Sequence, residues 1–140
     1  MIFKGCHGSP GTQAAQFDID TTYCRIPTAF KHWKFLVVSI TNPENNGIDY
    51  FVDMTHPFGL KSTNNNLGYA INATIAILQL ALPIPFISKW VDDVVILQYP
   101  SCQDKGKFAY NITFDQICSL FQELGWPLSH AKLVDFVPCV

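Results

Sequence analysis

Positive charge is scarce in this chain. Nine Lys and Arg stand against eleven Asp and Glu, a net charge of −2, so the broad basic face that gives most nucleic-acid binders their hold on phosphate is missing. Only Lys31-His32-Trp33-Lys34 and Lys105-Gly106-Lys107 gather any basic character. No C-x-x-C pair occurs among the cysteines at 6, 24, 102, 118 and 139, which argues against a zinc site. A signal peptide is lacking too, and with the odd cysteine count this predicts free thiols in an intracellular protein, cytoplasmic or nuclear and not secreted. The patterns Asn72-Ala73-Thr74 and Asn111-Ile112-Thr113 then have no meaning as glycosylation sites. No apolar run is long enough for a bilayer. The stretch from Ala73 to Ser88 is broken by Gln79, Pro83 and Pro85, so no membrane partner is expected. Cys6-His7-Gly8-Ser9 sets a nucleophile beside a base, but no G-x-S-x-G elbow surrounds it and it is read as chance.

What is present is apolar content: 49% of the residues, enough in 140 residues for one core and not two. Residues 1–13 are Gly-rich and read as a loose lead-in, followed by a single domain over 14–140. A first strand is predicted over Phe17 to Ile19. Trp33–Ile40 and Ile48–Met54 form a hairpin around the turn formers of 42–47. A helix over about 65–81 is apolar enough to be nearly enclosed, and it ends before the prolines. After a second hairpin and a polar connection over 99–112, Thr113-Phe114-Asp115-Gln116 has a capping-box pattern. Ile117, Leu120, Phe121 and Leu124 follow at helical spacing, and Gly125 suits a left-handed C-terminal position. Leu133 to Val137 is the last strand. The order predicts an α+β fold, two main helices on one face of an antiparallel sheet.

The second hairpin holds the most informative residues, Asp92 and Asp93, in Trp90-Val91-Asp92-Asp93 between strand-forming runs. Adjacent carboxylates in an apolar hairpin are costly without a positive partner. A hard divalent cation such as Mg²⁺ or Mn²⁺ is one answer. Asp acting simply as a turn former is the other. Asp18, in a separate strand-like run, adds a third carboxylate. Two-metal phosphoryl transfer uses such a set, drawn from different strands.

Two further segments extend the pattern. His56-Pro57-Phe58-Gly59-Leu60-Lys61-Ser62-Thr63-Asn64 resembles the Pro-Phe-Gly-Leu-Arg-Ser-Ala-Pro segment of retroelement reverse transcriptases. Glu123-Leu124-Gly125-Trp126-Pro127-Leu128-Ser129-His130-Ala131-Lys132 is similar to the Leu-Gly-x-Pro-Leu-x-x-x-Lys segment that comes later in that family. With Asp18 in the first palm motif and Trp90-Val91-Asp92-Asp93 in the third, four motifs stand in the family's order over roughly residues 14–136, nearest the retrotransposon type.

The resemblance implies a palm of the DNA/RNA polymerase superfamily, with RNA-directed DNA polymerase activity by two-metal nucleotidyl transfer. Its partners would be an RNA or DNA template–primer and a dNTP, and its cofactor Mg²⁺ or Mn²⁺. Asp18 and Asp92 would be the main metal ligands, supported by Asp93, and Lys132 a general acid near the triphosphate. Tyr23 would exclude a ribose 2′-OH. Phe58, Gly59, Ser62 and Val91 would lie against nucleotide and template. Tyr23 as an ordinary core aromatic and Lys132 as a solvated surface lysine remain the plainer readings. The chain departs from the family at Thr22 (usually Ala), Trp90 (usually Tyr or Phe), His56 (commonly Leu) and Thr63-Asn64 (usually Ala-Pro).

Asp18 comes too early to leave room for fingers, and the chain stops before a thumb. The expected molecule is therefore a palm fragment, weak or inactive alone. A catalytically silent retroelement remnant or interaction domain, self-associating through exposed palm surface, is the alternative. A small metal-dependent nuclease would use the same acids but leaves Phe58-Gly59 and Gly125–Lys132 unexplained.

Overall fold

The computed structural model describes residues 10–57, 59, 62–104 and 107–139. The lead-in up to Ser9, with Cys6-His7-Gly8-Ser9, lies outside the described residues, as do Phe58, Lys105 and Gly106. The fold is α+β with antiparallel sheets. The backbone divides into two compact units, one of residues 10–20 and 69–139 and the other of residues 21–68.

The first unit is built on a four-stranded sheet in the order β4-β5-β1-β8. Its strands are β1 (Gln13–Asp18), β4 (Phe86–Trp90), β5 (Asp93–Gln98) and β8 (Val134–Pro138). β1 starts at Gln13, earlier than its apolar centre suggests, because pairing with β5 and β8 continues through Gln13 and Ala14. In β1 and β5 alternate residues face opposite ways. Ala15, Phe17, Val94 and Ile96 share one face, and all are fully buried. Helix α2 (Phe114–Glu123) covers that face, with the Phe17 ring stacked 4.9 Å from Phe114 and 5.7 Å from Phe121.

Both ends of α2 follow from local sequence. Thr113 Oγ1 accepts from the Gln116 backbone N–H while Gln116 Oε1 accepts from the Thr113 N–H, a complete capping box. At the other end Gly125 has φ 81°, and the N–H groups of Gly125 and Trp126 donate to Gln122 and Phe121 carbonyls. This closes a Schellman motif. The polar connection contains a small hairpin, β6 (Cys102–Asp104) with β7 (Lys107–Ala109).

Helix α1 (Thr63–Ala81) is not enclosed as its composition suggests. Leu67, Ile71, Thr74 and Leu78 form a buried stripe at helical spacing, whereas Tyr69, Ile77 and Leu80 are exposed. The boundary between the units falls within this helix.

In the second unit, β2 (Val37–Thr41) and β3 (Ile48–Val52) pair as an isolated antiparallel ribbon. The stretch predicted to start a strand at Trp33 is instead a 3-10 helix, Phe30–Phe35. Trp33 Nε1 donates to the Thr28 carbonyl at 2.9 Å, drawing the chain back on itself before the strand can begin. All ten residues of β2 and β3 are exposed.

Candidate active site

The acids gather at one end of the four-stranded sheet. Asp18, the last residue of β1, lies directly opposite Asp93, the first residue of β5, in the antiparallel register. Directly opposed residues share a face, with Cβ atoms about 4.5–5.5 Å apart. Asp92 belongs to the two-residue loop that joins β4 to β5, and its carbonyl accepts from the Ile19 N–H at 3.3 Å. Like charges so placed repel, and Asp18 is 5% exposed, so a positive partner is required.

Lys132 supplies it, with Nζ 3.1 Å from Asp18 Oδ1. That hydrogen bond and the Asp18 charge hold the lysine above its ordinary range, with Asp92 and Asp93 adding to the pull. The lysine is delivered by backbone bonds between its own loop and the end of β1. Asp20 N–H donates to the Pro127 carbonyl, Ser129 N–H donates to the Asp18 carbonyl, and Ile19 bridges to Leu128. The segment Gly125–Lys132 is thus stitched to the strand that carries Asp18. Trp126 fixes its other side, Nε1 donating to Thr74 Oγ1 at 2.7 Å.

The loop itself is strained. Val91 has φ 57° and Asp92 does not share the positive sign. The first position of such a loop favours glycine, and a β-branched residue in the left-handed region is an outlier of the kind concentrated at functional sites. Gln16, two residues before Asp18 on the same face, escaped the reading of motifs. Its Nε2 donates to Asp93 Oδ1 at 3.3 Å. The signal was the strand period. With Ser88, Lys89, Trp90 and Val95, these two residues line a groove of about 180 Å³.

The remaining candidates belong to the second unit. Tyr23 is buried in a 3-10 turn, Thr22–Arg25, and its hydroxyl donates to Asn64 Oδ1 at 2.7 Å. Gly59 is exposed with φ 90°. Ser62 is exposed, and its carbonyl accepts from the Asn66 N–H. His56, Ser62 and Asn66, with Thr28, His32 and Phe35, help line a cavity of about 550 Å³. Asn66 Nδ2 lies 2.7 Å from His56 Nε2, and His56 Nδ1 lies 3.0 Å from Thr28 Oγ1, which donates to the Thr55 carbonyl.

Among the described residues no three His, Cys, Asp or Glu side chains stand close enough together to hold a metal ion as they are. The donor chemistry nonetheless suits a hard divalent cation, being carboxylate oxygen throughout, with an ammonium now placed against Asp18. No helix among the described residues is long and apolar enough to cross a membrane. No family model matches the chain, and comparison with curated proteins gives no match.

Proposed function

We propose that the chain is the palm of an RNA-directed DNA polymerase, transferring nucleotides to a primer 3′-hydroxyl. One observation carries the reading: Asp18 and Asp93 face each other across β1 and β5 while Gly125–Lys132 brings an ammonium to Asp18. This is the set of motifs whose order resembles a reverse transcriptase, and the antiparallel sheet ending in acids suits a palm. Bound Mg²⁺ or Mn²⁺ would stabilise charge at the attacking 3′-oxygen and on the departing pyrophosphate. Asp18, Asp92 and Asp93 are the residues to hold such ions, with Gln16 orienting Asp93. Lys132 takes the role of donor to the leaving group by resemblance alone. Tyr23, braced by Asn64, takes the role of 2′-OH discrimination by resemblance alone, as do Phe58, Gly59, Ser62 and Val91 in nucleotide and template contact.

The test is extension of a DNA primer on an RNA template with a dNTP and Mg²⁺ or Mn²⁺. Template-dependent extension is expected from the wild type and none from Asp92→Asn. A silent interaction domain is the second reading, favoured by the apolar β2–β3 ribbon exposed on both faces. No extension by the wild type under either ion would support that reading against the enzyme.

A further inference from the structure

We propose that the cavity of the second unit binds an uncharged, flat aromatic ring system with a hydrogen-bond donor and an acceptor on one edge, an aromatic lactam being the simplest case. The site goes beyond the palm reading and does not depend on it, since none of Asp18, Asp92, Asp93 and Lys132 lines the cavity.

Its size is that of a ligand site. At about 550 Å³ it falls within the roughly 300–1,000 Å³ of small-molecule pockets, whereas the groove beside Asp93, about 180 Å³, falls below it. In a 3-10 helix residues three apart stand over one another, so His32 and Phe35 form one wall along Phe30–Phe35. Pro27, Ala29 and Leu36 add apolar surface to it. The floor is Thr28 and His56, each 9% exposed. It is held before any ligand arrives. Thr28 N–H donates to the Met54 carbonyl and His56 N–H to the Ile26 carbonyl. Both ring nitrogens of His56 have partners, Thr28 Oγ1 and Asn66 Nδ2. A floor fixed in advance spares the ligand most of the ordering cost of binding.

The lining decides the chemistry of the ligand. Among the described residues that form it there is no Asp, Glu, Lys or Arg, so an ion entering would leave water with no full charge to meet it. Lys34 Nζ lies over the Phe35 ring, 4.9 Å from its centroid, but does not line the cavity. Hydrogen-bonding capacity is gathered where α1 begins. Ser62 and Asn66 are joined there, Asn66 N–H donating to the Ser62 carbonyl, and both line the cavity. Asn66 spends its amide nitrogen on His56 and keeps its amide oxygen as an acceptor. The Ser62 hydroxyl makes no hydrogen bond among the described residues and can donate. A ligand edge with one donor and one acceptor matches this pair. The body of the ring rests against Phe35, where aromatic pairing is favourable.

The experiment is titration of the intact chain with 2-quinolone, quinoline and 2-naphthoate, followed by the backbone amide signals in nuclear magnetic resonance. Quinoline lacks the donor, and 2-naphthoate carries a charge at similar size. Wild type, Ala29→Trp and Asn66→Leu are compared, each checked for folding by circular dichroism. 2-Quinolone is expected to shift the signals of Ala29, His32, Phe35 and Asn66, and to bind on the order of tenfold more tightly than quinoline. Ala29→Trp, which fills the cavity, should abolish these shifts, and Asn66→Leu should bring 2-quinolone down to the level of quinoline. No shift at the solubility limit of 2-quinolone overturns the site, as do shifts that survive in Ala29→Trp. Equal binding of 2-naphthoate overturns the uncharged class, and equal binding of quinoline to the wild type overturns the paired edge. Should Ala29→Trp fail to fold, His32→Trp narrows the same cavity from the 3-10 wall. Primer extension is not read in any arm, so failure here and failure of the palm reading stay distinct.

Discussion

Strands β5 and β3 are both rich in apolar residues, yet Val94 and Ile96 of β5 are buried while every residue of β3 is exposed. The difference lies in what surrounds them. β5 has β4 on one side and β1 on the other, and α2 covers the face bearing Val94 and Ile96. β3 has only β2. In register, Val37, Ile48, Tyr50 and Val52 fall on one face of that ribbon and Val38, Ile40 and Phe51 on the other. Neither face is composed for water. A strand pattern makes a core only where a second layer exists to receive it, and an isolated two-stranded ribbon is marginal by itself. Contiguous exposed apolar surface of this kind is what favours the interaction domain as the second reading.

The sharpest way to break this comparison is to remove one aromatic from each region. Phe17→Ala deletes a fully buried ring stacked between Phe114 and Phe121 and should cost about 3–5 kcal/mol. Phe51 is 53% exposed, and Phe51→Ala should change stability by no more than about 0.5 kcal/mol. Urea unfolding midpoints measure both. A loss from Phe51→Ala comparable with that from Phe17→Ala would mean that the ribbon is covered in solution, and the contrast would collapse.

The same contrast explains what could be read from residues alone. Thr113, Gln116 and Gly125 act through bonds spanning a few residues, so both ends of α2 were legible. The run Val94 to Leu97 was legible as a strand but not in its facing, since four successive apolar residues do not say that Val94 and Ile96 are the buried pair. Helix α1 misled, since apolar composition does not say how many neighbours a helix finds, and Leu80 is almost fully exposed. The candidate site was legible as a set of residues but not as an arrangement. Spacing could not show that Asp93, rather than Asp92, sits opposite Asp18, because that depends on the register between distant strands. Nor could it show Gln16 on Asp93, which follows only once the shared face is known. Trp33 lost its place in a strand to an indole hydrogen bond that no strand propensity encodes.

A smaller effect tests whether the first unit, for all its burial, carries strain at its acidic tip. Val91 holds φ 57° with its side chain partly exposed, so glycine would relieve the conformation without opening a cavity. Relief of about 1–2 kcal/mol, set against roughly 0.4–1 kcal/mol of added freedom in the unfolded chain, leaves Val91→Gly more stable by about 1 kcal/mol. Thermal or urea unfolding measures it. A destabilised variant would mean that Val91 earns its place through packing, and the tip would then resemble the rest of the sheet.

The smallest effect is expected at the foot of the exposed ribbon, where local bonds replace a core. Asp53 Oδ1 accepts from the Thr55 N–H at 2.9 Å and the Thr55 hydroxyl at 2.7 Å, closing the bend after β3. The backbone bond first, and then the hydroxyl, lower the Asp53 pKa, with slight burial opposing them. A carboxyl lowered on folding contributes its full stability above its unfolded value, about 3.9, and loses that stability as pH falls through the folded value. Solvent screening keeps the contribution small. The difference in unfolding midpoint between wild type and Asp53→Ala should therefore be constant above about pH 5 and shrink as pH falls below about 4. An unchanging difference down to the acid limit would show that the carboxylate charge contributes nothing there. The bend would then be held by packing and not by the bonds that the carboxylate accepts from Thr55.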